Sequence, residues 1–387
     1  MRIGIILAKP PSYSETFFTS KIKGLLDYGH DVTLYVRDNS SSFSGCKVVL
    51  APKVSKNPIV QIIKMVLVFV GLLFRFKRLQ QFITLEKASG RRTKEIFRNT
   101  FINAHVLKAN LDWIHFGFTT LAIDSEHVAE SIGAKMAVSC RGYDMDVYPL
   151  KHKDCYDLVW KKVDKVHAIS KYMLQKAYSH GLQIAVPSAI IFPAVNKALF
   201  ENKNESDFRV PIKITTIARL HWIKGLDYTL EALAILKSKG VNFNYEIIGD
   251  GPEYESLRYA VHELDLEDSV SFIGKLSHSD TLGHLKNTDI YLQYSHSEGF
   301  CNAILEAQAM GCLCIVSDGG ALAENVLHEK TGFVVPNRNA KALSETIFRV
   351  LEQDNLVLSQ IKNASRTRVL NEFTTEQQRQ AFIDFYE

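Results

Sequence analysis

The chain has 387 residues, 46% of them hydrophobic and 23% charged, which suits a soluble globular protein of two or three domains. A net charge of +4 is too small to argue for nucleic acid as a partner. The six cysteines are scattered through apolar runs with neither zinc nor disulfide spacing; they read as reduced core thiols of a cytosolic chain.

The opening MRIGIILAKPP is broken by proline too soon for a secretory signal and reads as a first strand. DVTLYVRD, KVVLAP, DWIHFG, KMAVSCRG, KVHAIS and AIIFPAV continue the strands of the first half, with helices between most of them. Between the third and fourth lies IVQIIKMVLVFVGLLFRFKRL, residues 59–79, whose uninterrupted apolar core runs from Met65 to Phe74. Ten residues are short for a membrane span. From Arg75 to Arg98 there are eight Lys or Arg against two Glu. Two readings follow: a helix buried against the N-terminal sheet, or an anchor over residues 59–98 on an anionic membrane surface. The second makes the chain a peripheral protein of the cytoplasmic membrane face.

Residues 196–211, NKALFENKNESDFRVP, are the best linker candidate. Beyond them strands and helices alternate clearly: IKITTIARL, GLDYTLEALAILKSKG, YEIIGDG, PEYESLRYAVHEL, VSFIGKL, HSDTLGHLKN, DIYLQYS, CLCIVSD, GFVVP and a helix from Asn339. Such alternation builds a parallel sheet from βαβ units. The expected architecture is two Rossmann-like doubly wound domains with a cleft between them, at 1–196 and 197–370, with a C-terminal helix of about 371–387 that can pack back on the first. Ligands of such sheets bind beyond the carboxyl ends of the strands.

SEGFCNAILEAQAMG, residues 297–311, falls at such a place. Read as one helix, it sets Glu298 and Glu306 roughly 12 Å and about 80° apart. Two carboxylates so separated cannot share a metal, but they can hold two hydroxyl-bearing parts of one extended ligand. A helix-start acid and a Glu306 paired with a nearby base are the structural alternatives. Gly299 allows close backbone approach, and the helix start offers N–H donors. ARLHWIKG, residues 218–225, adds Arg219 and Lys224 in a strand-to-helix loop, a pair suited to a pyrophosphate. GDG at 249–251 lacks the third glycine of the dinucleotide fingerprint. DMD at 144–146 has the letters of an Asp-x-Asp metal motif, but no sound metal-ligand set accompanies it. Cys312 and Cys314 alternate on a strand and read as core.

ARLHWIKGLDYTLEAL, IIGDGPEYESL, VSFIGKL, DIYLQYSHSEGFCNAILEAQAMGCLCIVSDGGALAENV and EKTGFVVP occur in one order across most of 212–336. In that order they resemble the retaining glycosyltransferases of family 4, which have the GT-B fold, and in particular exopolysaccharide and lipopolysaccharide types. PPSYSETFF (10–18) and SCRGYDMD (139–146) match more loosely. The resemblance implies that a sugar, of hexosyl type, moves from a UDP- or GDP-linked donor to a saccharide or lipid-linked saccharide acceptor, without a metal or other cofactor. It implies catalytic roles for Glu298 at the donor sugar and for Arg219 and Lys224 at the diphosphate. It also implies donor contacts at Glu306 (ribose), Gly299, Phe300, Gly251 and Leu276, the last in FIGKL near the base. Ser14, Glu15, Arg141 and His115 are candidates for the acceptor or phosphate side. Arg141 stands where many members have histidine, so it contacts phosphate, contacts acceptor or is structural. Ala194 and Asn196 likewise replace a usual glycine and aspartate. A regulatory protein that binds nucleotide-sugar without turnover is the alternative function.

Overall fold

The computed structural model describes residues 1–11, 16–38, 43–201, 208 and 210–387. They divide into two compact units: Met1–Ile169 with Met173–Ile191 and Arg379–Glu387, and Ser170–Tyr172 with Phe192–Gln378. The chain changes unit at Ile191–Phe192, and its last nine residues return to the first unit. The expected linker at 196–211 lies partly outside the described residues, at 202–207 and 209.

The N-terminal unit runs β1 (Arg2–Leu7), α1 (Thr16–Asp27), β2 (Asp31–Val36), β3 (Lys47–Leu50), α2 (Pro58–Leu73), α3 (Phe76–Ala88), α4 (Thr93–Leu107), β4 (Trp113–Phe116), α5 (Val128–Ile132), β5 (Lys135–Cys140), α6 (Tyr148–Lys151), α7 (Asp157–Lys162), β6 (Lys165–Ala168), α8 (Lys171–Ser179) and β7 (Ser188–Ile190). Its seven strands are ordered β3-β2-β1-β4-β5-β6-β7, all pairs parallel. Strands buried on both faces explain the near-continuous apolar runs, as in Ile3, Ile5, Leu7, Leu34 and Val138. AIIFPAV yields only the short β7, because Pro193 has no N–H to give a ladder.

Residues 59–79 are not one helix. The chain breaks at Phe74–Arg75, and α2 and α3 diverge by 116°. Only Leu72 of α2 is buried, so the reading of this segment as a core helix fails. Among the described residues no single helix is long and apolar enough to cross a membrane, although the bent pair together passes on length and composition.

A chain of buried polar groups crosses the middle of the N-terminal sheet. His167 Nε2 faces the Ile191 carbonyl at 3.0 Å. A carbonyl only accepts, so Nε2 carries the proton. Burial holds both rings neutral, with their pKa values well below the usual range. The Nδ1 atom of His167 therefore accepts from the Ser139 hydroxyl (2.8 Å), whose oxygen accepts from His115 Nε2 (2.9 Å). That leaves His115 Nδ1 to accept from the Tyr386 hydroxyl (2.7 Å) and the Lys21 amine (3.0 Å). One proton order satisfies α1, β4, β5, β6 and the returning C-terminal residues together. Burial, and then Arg141, push Lys21 well below the ordinary ammonium range.

The C-terminal unit runs β8 (Ile212–Ile217), α9 (Leu226–Ser238), β9 (Phe243–Ile248), α10 (Tyr254–Glu263), β10 (Val270–Gly274), α11 (His278–Leu285), β11 (Ile290–Gln293), α12 (Asn302–Ala309), β12 (Leu313–Ser317), α13 (Leu322–Asn325), β13 (Phe333–Val335), α14 (Ala340–Leu351) and α15 (Asn355–Glu372), then α16 (Thr375–Tyr386), whose end belongs to the first unit. Its six parallel strands are ordered β10-β9-β8-β11-β12-β13. Cys312 and Cys314 are buried in this core, as expected. Both units are thus doubly wound α/β layers, the fold class that the strand–helix alternation predicts.

The buried histidines set an acid limit for the N-terminal unit. Burial pulls His105 and His127 down to about 4 and His115 and His167 well below the usual value. The unfolded chain binds these protons at an ordinary pKa of about 6.5, so it gains protons first as pH falls. Stability should therefore drop from pH about 6.5 towards about 4, by about 1.4 kcal/mol per pH unit for each such group. Hydrogen exchange at pH 7 and pH 5 should show the strands β4–β6 losing protection on acidification.

Candidate active site

In the C-terminal sheet the strand order reverses between β8 and β11, neighbours that carry successive connections in opposite directions. The loops after these two strands therefore flank the crevice where a doubly wound sheet takes its ligand. After β8 the chain makes a tight turn over Trp222–Lys224, and Gly225 (φ 59°) then opens α9. A Cβ on Gly225 would stand 2.3 Å from the Tyr294 carbonyl oxygen, so glycine is needed for conformation and for space. His296 N–H donates to the Ile223 carbonyl at 2.7 Å, and the two loops are one surface.

Across that surface Lys224 Nζ donates to Glu298 Oε1 in an ion pair whose side chains are 15% and 13% exposed. Burial pulls the ammonium pKa down, but the Glu298 charge and hydrogen bond outweigh it, and Lys224 titrates above its usual value. Ser295 Oγ (3.0 Å) and Gln293 Nε2 (3.5 Å) also donate to the same Oε1 atom. Three donors orient the carboxylate through one oxygen and leave Oε2 without a partner among the described residues. Arg219, in the same loop as Lys224, is exposed and forms no ion pair among the described residues; its charge is felt at Lys224.

The expectation that Glu298 and Glu306 share one helix is not met. Helix α12 begins at Asn302, and Glu298 lies in the loop before Cys301, its N-cap. A tertiary contact stops the helix from starting earlier. Cys301 N–H donates to Asn325 Oδ1 (3.1 Å), and Asn325 Nδ2 donates to the Cys301 carbonyl (3.2 Å). The turn after β12 presses on the Glu298 backbone: Ala321 N–H donates to its carbonyl at 2.8 Å, and a Cβ on Gly320 (φ 70°) would come within 2.4 Å of that oxygen.

Glu306 lies in α12 with its side chain 17% exposed, and it does find a base: His278 Nε2 donates to Oε1 at 2.8 Å. The bond to Glu306 raises the His278 pKa despite partial burial. Again only Oε1 is engaged among the described residues. Leu276, half-buried, precedes the Ser277 cap of α11, so the FIGKL loop leads to the residue that orients Glu306. Gly251 packs the loop after β9 onto that after β8; a Cβ there would stand 2.3 Å from the Leu220 carbonyl oxygen. Gly299 is buried beside Phe300. The Phe300 ring is only 8% exposed and packs on Phe192 and Phe373, with centroids 5.2 and 5.6 Å away, which commits it to the core.

In the N-terminal unit Arg141 lies over Phe17, Phe18 and Phe118, with its guanidinium carbon 4.2–5.3 Å from the ring centroids. Its side chain is held in an aromatic box. His115 is fully buried in the polar chain described above. Ser14 and Glu15 lie outside the described residues. Asp144 of DMD is also fully buried: its carboxylate accepts from Thr119 N–H (3.1 Å) and the Thr120 hydroxyl (2.8 Å), and burial raises it to about 6. Among the described residues no group of three His, Cys, Asp or Glu side chains is placed to hold a metal.

A groove of ≈ 500 Å³ in the C-terminal unit, lined by Lys213, Asn244, Glu246, Asp280 and His284, lies towards the amino ends of β8 and β9. None of Arg219, Lys224, Glu298 or Glu306 lines it, and the switch-point loops remain the better site. Sequence reading missed His278, Ser295 and Gln293, the residues that aim the two glutamates. It also missed Gly319–Gly320, which the doubled glycine after a strand could have flagged.

The ion pair should be measurable in stability. Lys224→Ala strands a mostly covered carboxylate and should cost the C-terminal unit about 2 kcal/mol, less than the roughly 3–5 kcal/mol of a fully buried pair because some water reaches it. Urea unfolding should show a lower midpoint, with part of the loss recovered in Lys224→Arg. An unchanged midpoint would mean that the pair adds nothing to the fold.

Residues 200–367 match the family model "Glycosyl transferases group 1". The chain is 26% identical over 279 residues to the amylovoran biosynthesis glycosyltransferase AmsK of Erwinia amylovora, covering 70% of this chain and 68% of that one. It is 34% identical over 188 residues to the N,N'-diacetylbacillosaminyl-diphospho-undecaprenol alpha-1,3-N-acetylgalactosaminyltransferase of Campylobacter jejuni, covering 49% and 48% of the two chains. In structure it resembles Anabaena Alr3699/HepE, solved with UDP-glucose, at a TM-score of 0.71 and 14% identity over 99% of this chain and 98% of that one. That likeness extends the GT-B fold to the whole chain. Over residues 200–367 the chain is thus similar to the glycosyl transferases of group 1.

Proposed function

We propose that this protein is a retaining, metal-independent glycosyltransferase of family 4 type in cell-surface polysaccharide synthesis. It moves a hexosyl group from a UDP- or GDP-linked donor to a saccharide or lipid-linked saccharide, working as a peripheral protein of the cytoplasmic membrane face. One observation carries the reading: at the switch point, a cation-rich loop and a carboxylate with one oxygen tied and one open are locked together by Lys224 and Glu298. The AmsK relative is named for exopolymer biosynthesis, and the Campylobacter relative for a diphospho-undecaprenol acceptor. Both names agree with this substrate class.

The chemistry follows from charge. Cleaving the bond between the anomeric carbon and the donor phosphate leaves a diphosphate anion and an oxocarbenium-like sugar. Arg219 and the protonated Lys224 offset the anion without reorganising at the moment of bond breaking. The open Oε2 of Glu298 accepts from donor-sugar hydroxyls, and that of Glu306 accepts from ribose hydroxyls, each carboxylate pre-aimed by its other oxygen. The acceptor hydroxyl attacks the anomeric carbon from the leaving-group face. Its proton passes to the departing diphosphate oxygen.

Incubation with a panel of UDP- and GDP-sugars and a lipid-linked acceptor should release nucleoside diphosphate over time. Stoichiometric binding without release would leave a nucleotide-sugar-binding protein instead. Glu298→Gln and Glu306→Ala should each lower transfer by about 100-fold or more with an intact fold; near-normal turnover in both would remove these residues from the site.

Activity should survive EDTA, because the loop cations supply the charge. Loss on chelation, restored by Mg²⁺ or Mn²⁺, would show that a metal supplies it.

A further inference from the structure

Helix α2 turns apolar residues outward. Every one of its exposed positions is apolar, while its two polar side chains, Gln61 and Lys64, are half-buried along with Met65, Val68 and Phe69. Gln61 accepts from Ser55 N–H at 2.8 Å, and Lys64 Nζ donates to the Lys53 carbonyl at 3.2 Å. Ile59, Ile63, Val66, Val70 and Leu73 form the outer ridge, each 51–68% exposed. At 3.6 residues per turn the exposed side chains fill an arc of about 160° along about 24 Å of helix. The ridge ends at the bend, where Phe74 is 88% and Phe76 58% exposed. A continuous apolar face of this kind marks a surface that water does not normally cover.

The charge around it is one-sided. Residues 53–79 contain Lys53, Lys56, Lys64, Arg75, Lys77 and Arg78 and no acidic residue. Lys53 and Arg37 also line a groove of ≈ 470 Å³ at the carboxyl ends of β2 and β3, together with Ala51, Val54, Ile102 and one acid, Asp38, whose charge is met by Lys9 at 3.9 Å. Neither Lys53 nor Arg37 forms an ion pair among the described residues, and the Lys64 and Gln61 bonds tie the groove's lip to α2. A protein partner would need to match apolar surface and excess cation together; an anionic bilayer presents both by its nature. The helix is too short to cross about 30 Å of hydrocarbon, and the 116° turn into α3 directs the chain away from that course.

We infer that α2 lies flat in the interface of an anionic bilayer, with its Ile59–Leu73 ridge and Phe74 in the acyl region and Arg37, Lys53 and Lys56 at the headgroup phosphates. The inference deepens the peripheral placement proposed above and rests on it. It names the face that docks and the depth order along that face.

The test uses the full chain with vesicles of neutral phosphatidylcholine and of phosphatidylcholine with phosphatidylglycerol. The wild type should co-sediment with the anionic vesicles, more weakly in high salt but not zero, because the apolar contact persists when charge is screened. Val66→Glu with Val70→Glu, two exposed positions outside the sugar-transfer site, should reduce the bound fraction by more than about tenfold. Thermal midpoint and donor turnover with a soluble acceptor should not change. Phe74→Trp should show an emission blue shift on vesicle addition. Equal sedimentation of the double variant, or no blue shift, would overturn the docking face while leaving membrane association in place. No sedimentation of the wild type would overturn both. A dimer in solution that the double variant dissolves would assign the face to a second copy of the chain. None of these outcomes bears on nucleoside diphosphate release, which tests the transferase reading separately.

Discussion

The Lys224–Glu298 pair is the constraint on which the C-terminal site depends. It joins the loop after β8 to the loop after β11, the two strands at which the sheet order reverses. Beyond the single tight turn over Trp222–Lys224, no helix or strand holds either loop there. Gly225 must sit on the Tyr294 carbonyl and Gly320 on the Glu298 backbone for the side chains to meet. The pair also keeps Lys224 charged in a setting whose burial alone would favour the neutral amine. A cation held this way is ready for an anion before the anion arrives, which is the condition for electrostatic stabilisation without reorganisation.

The same economy appears at Glu306. A glutamate within an apolar helix is a cost unless a donor meets it, and His278 is that donor. Each carboxylate thus has one oxygen committed to the protein and one left over. A fully satisfied carboxylate would be structural, and an unsupported one would wander among rotamers. The half-satisfied state is directional: its open oxygen is aimed and able to accept a hydrogen bond.

The N-terminal unit distributes polarity in the opposite sense. Its centre carries Lys21, His115, Ser139 and His167 in one buried chain, while the outside of α2 carries aliphatic side chains. The buried chain is tolerable because each donor has an acceptor, with one consistent proton order. The apolar outside is explicable when the neighbouring medium is not water. Both features run against the ordinary rule of apolar inside and polar outside, and each has a different physical remedy.

Much of the fold was legible in the residues. Period and punctuation place β8–β13, α9, α10 and α11 and the start of α14 to within about three residues, because a parallel sheet demands apolar strands and its crossovers demand helices; the short α13 was not anticipated. The positions of Arg219, Lys224 and Glu298 in the loops after strands, and of Glu306 in the helix that follows, were legible for the same reason. Their partners were not. His278 is 28 residues from Glu306 and Lys224 is 74 from Glu298, and no local pattern encodes a contact at such separation. The start of α12 was misread because Asn325, 24 residues downstream, takes the Cys301 N–H that an earlier helix turn would have used. The fate of residues 59–79 was undecidable from hydropathy, since a core helix and an interfacial helix share one composition. The sequence by itself determined which segments are apolar, which are strand or helix, and which charged residues stand in the loops after strands. Only the tertiary structure decided which side of α2 faces outward and which oxygen of each glutamate is spent, because both depend on contacts between residues that the chain brings together only when the sheet closes.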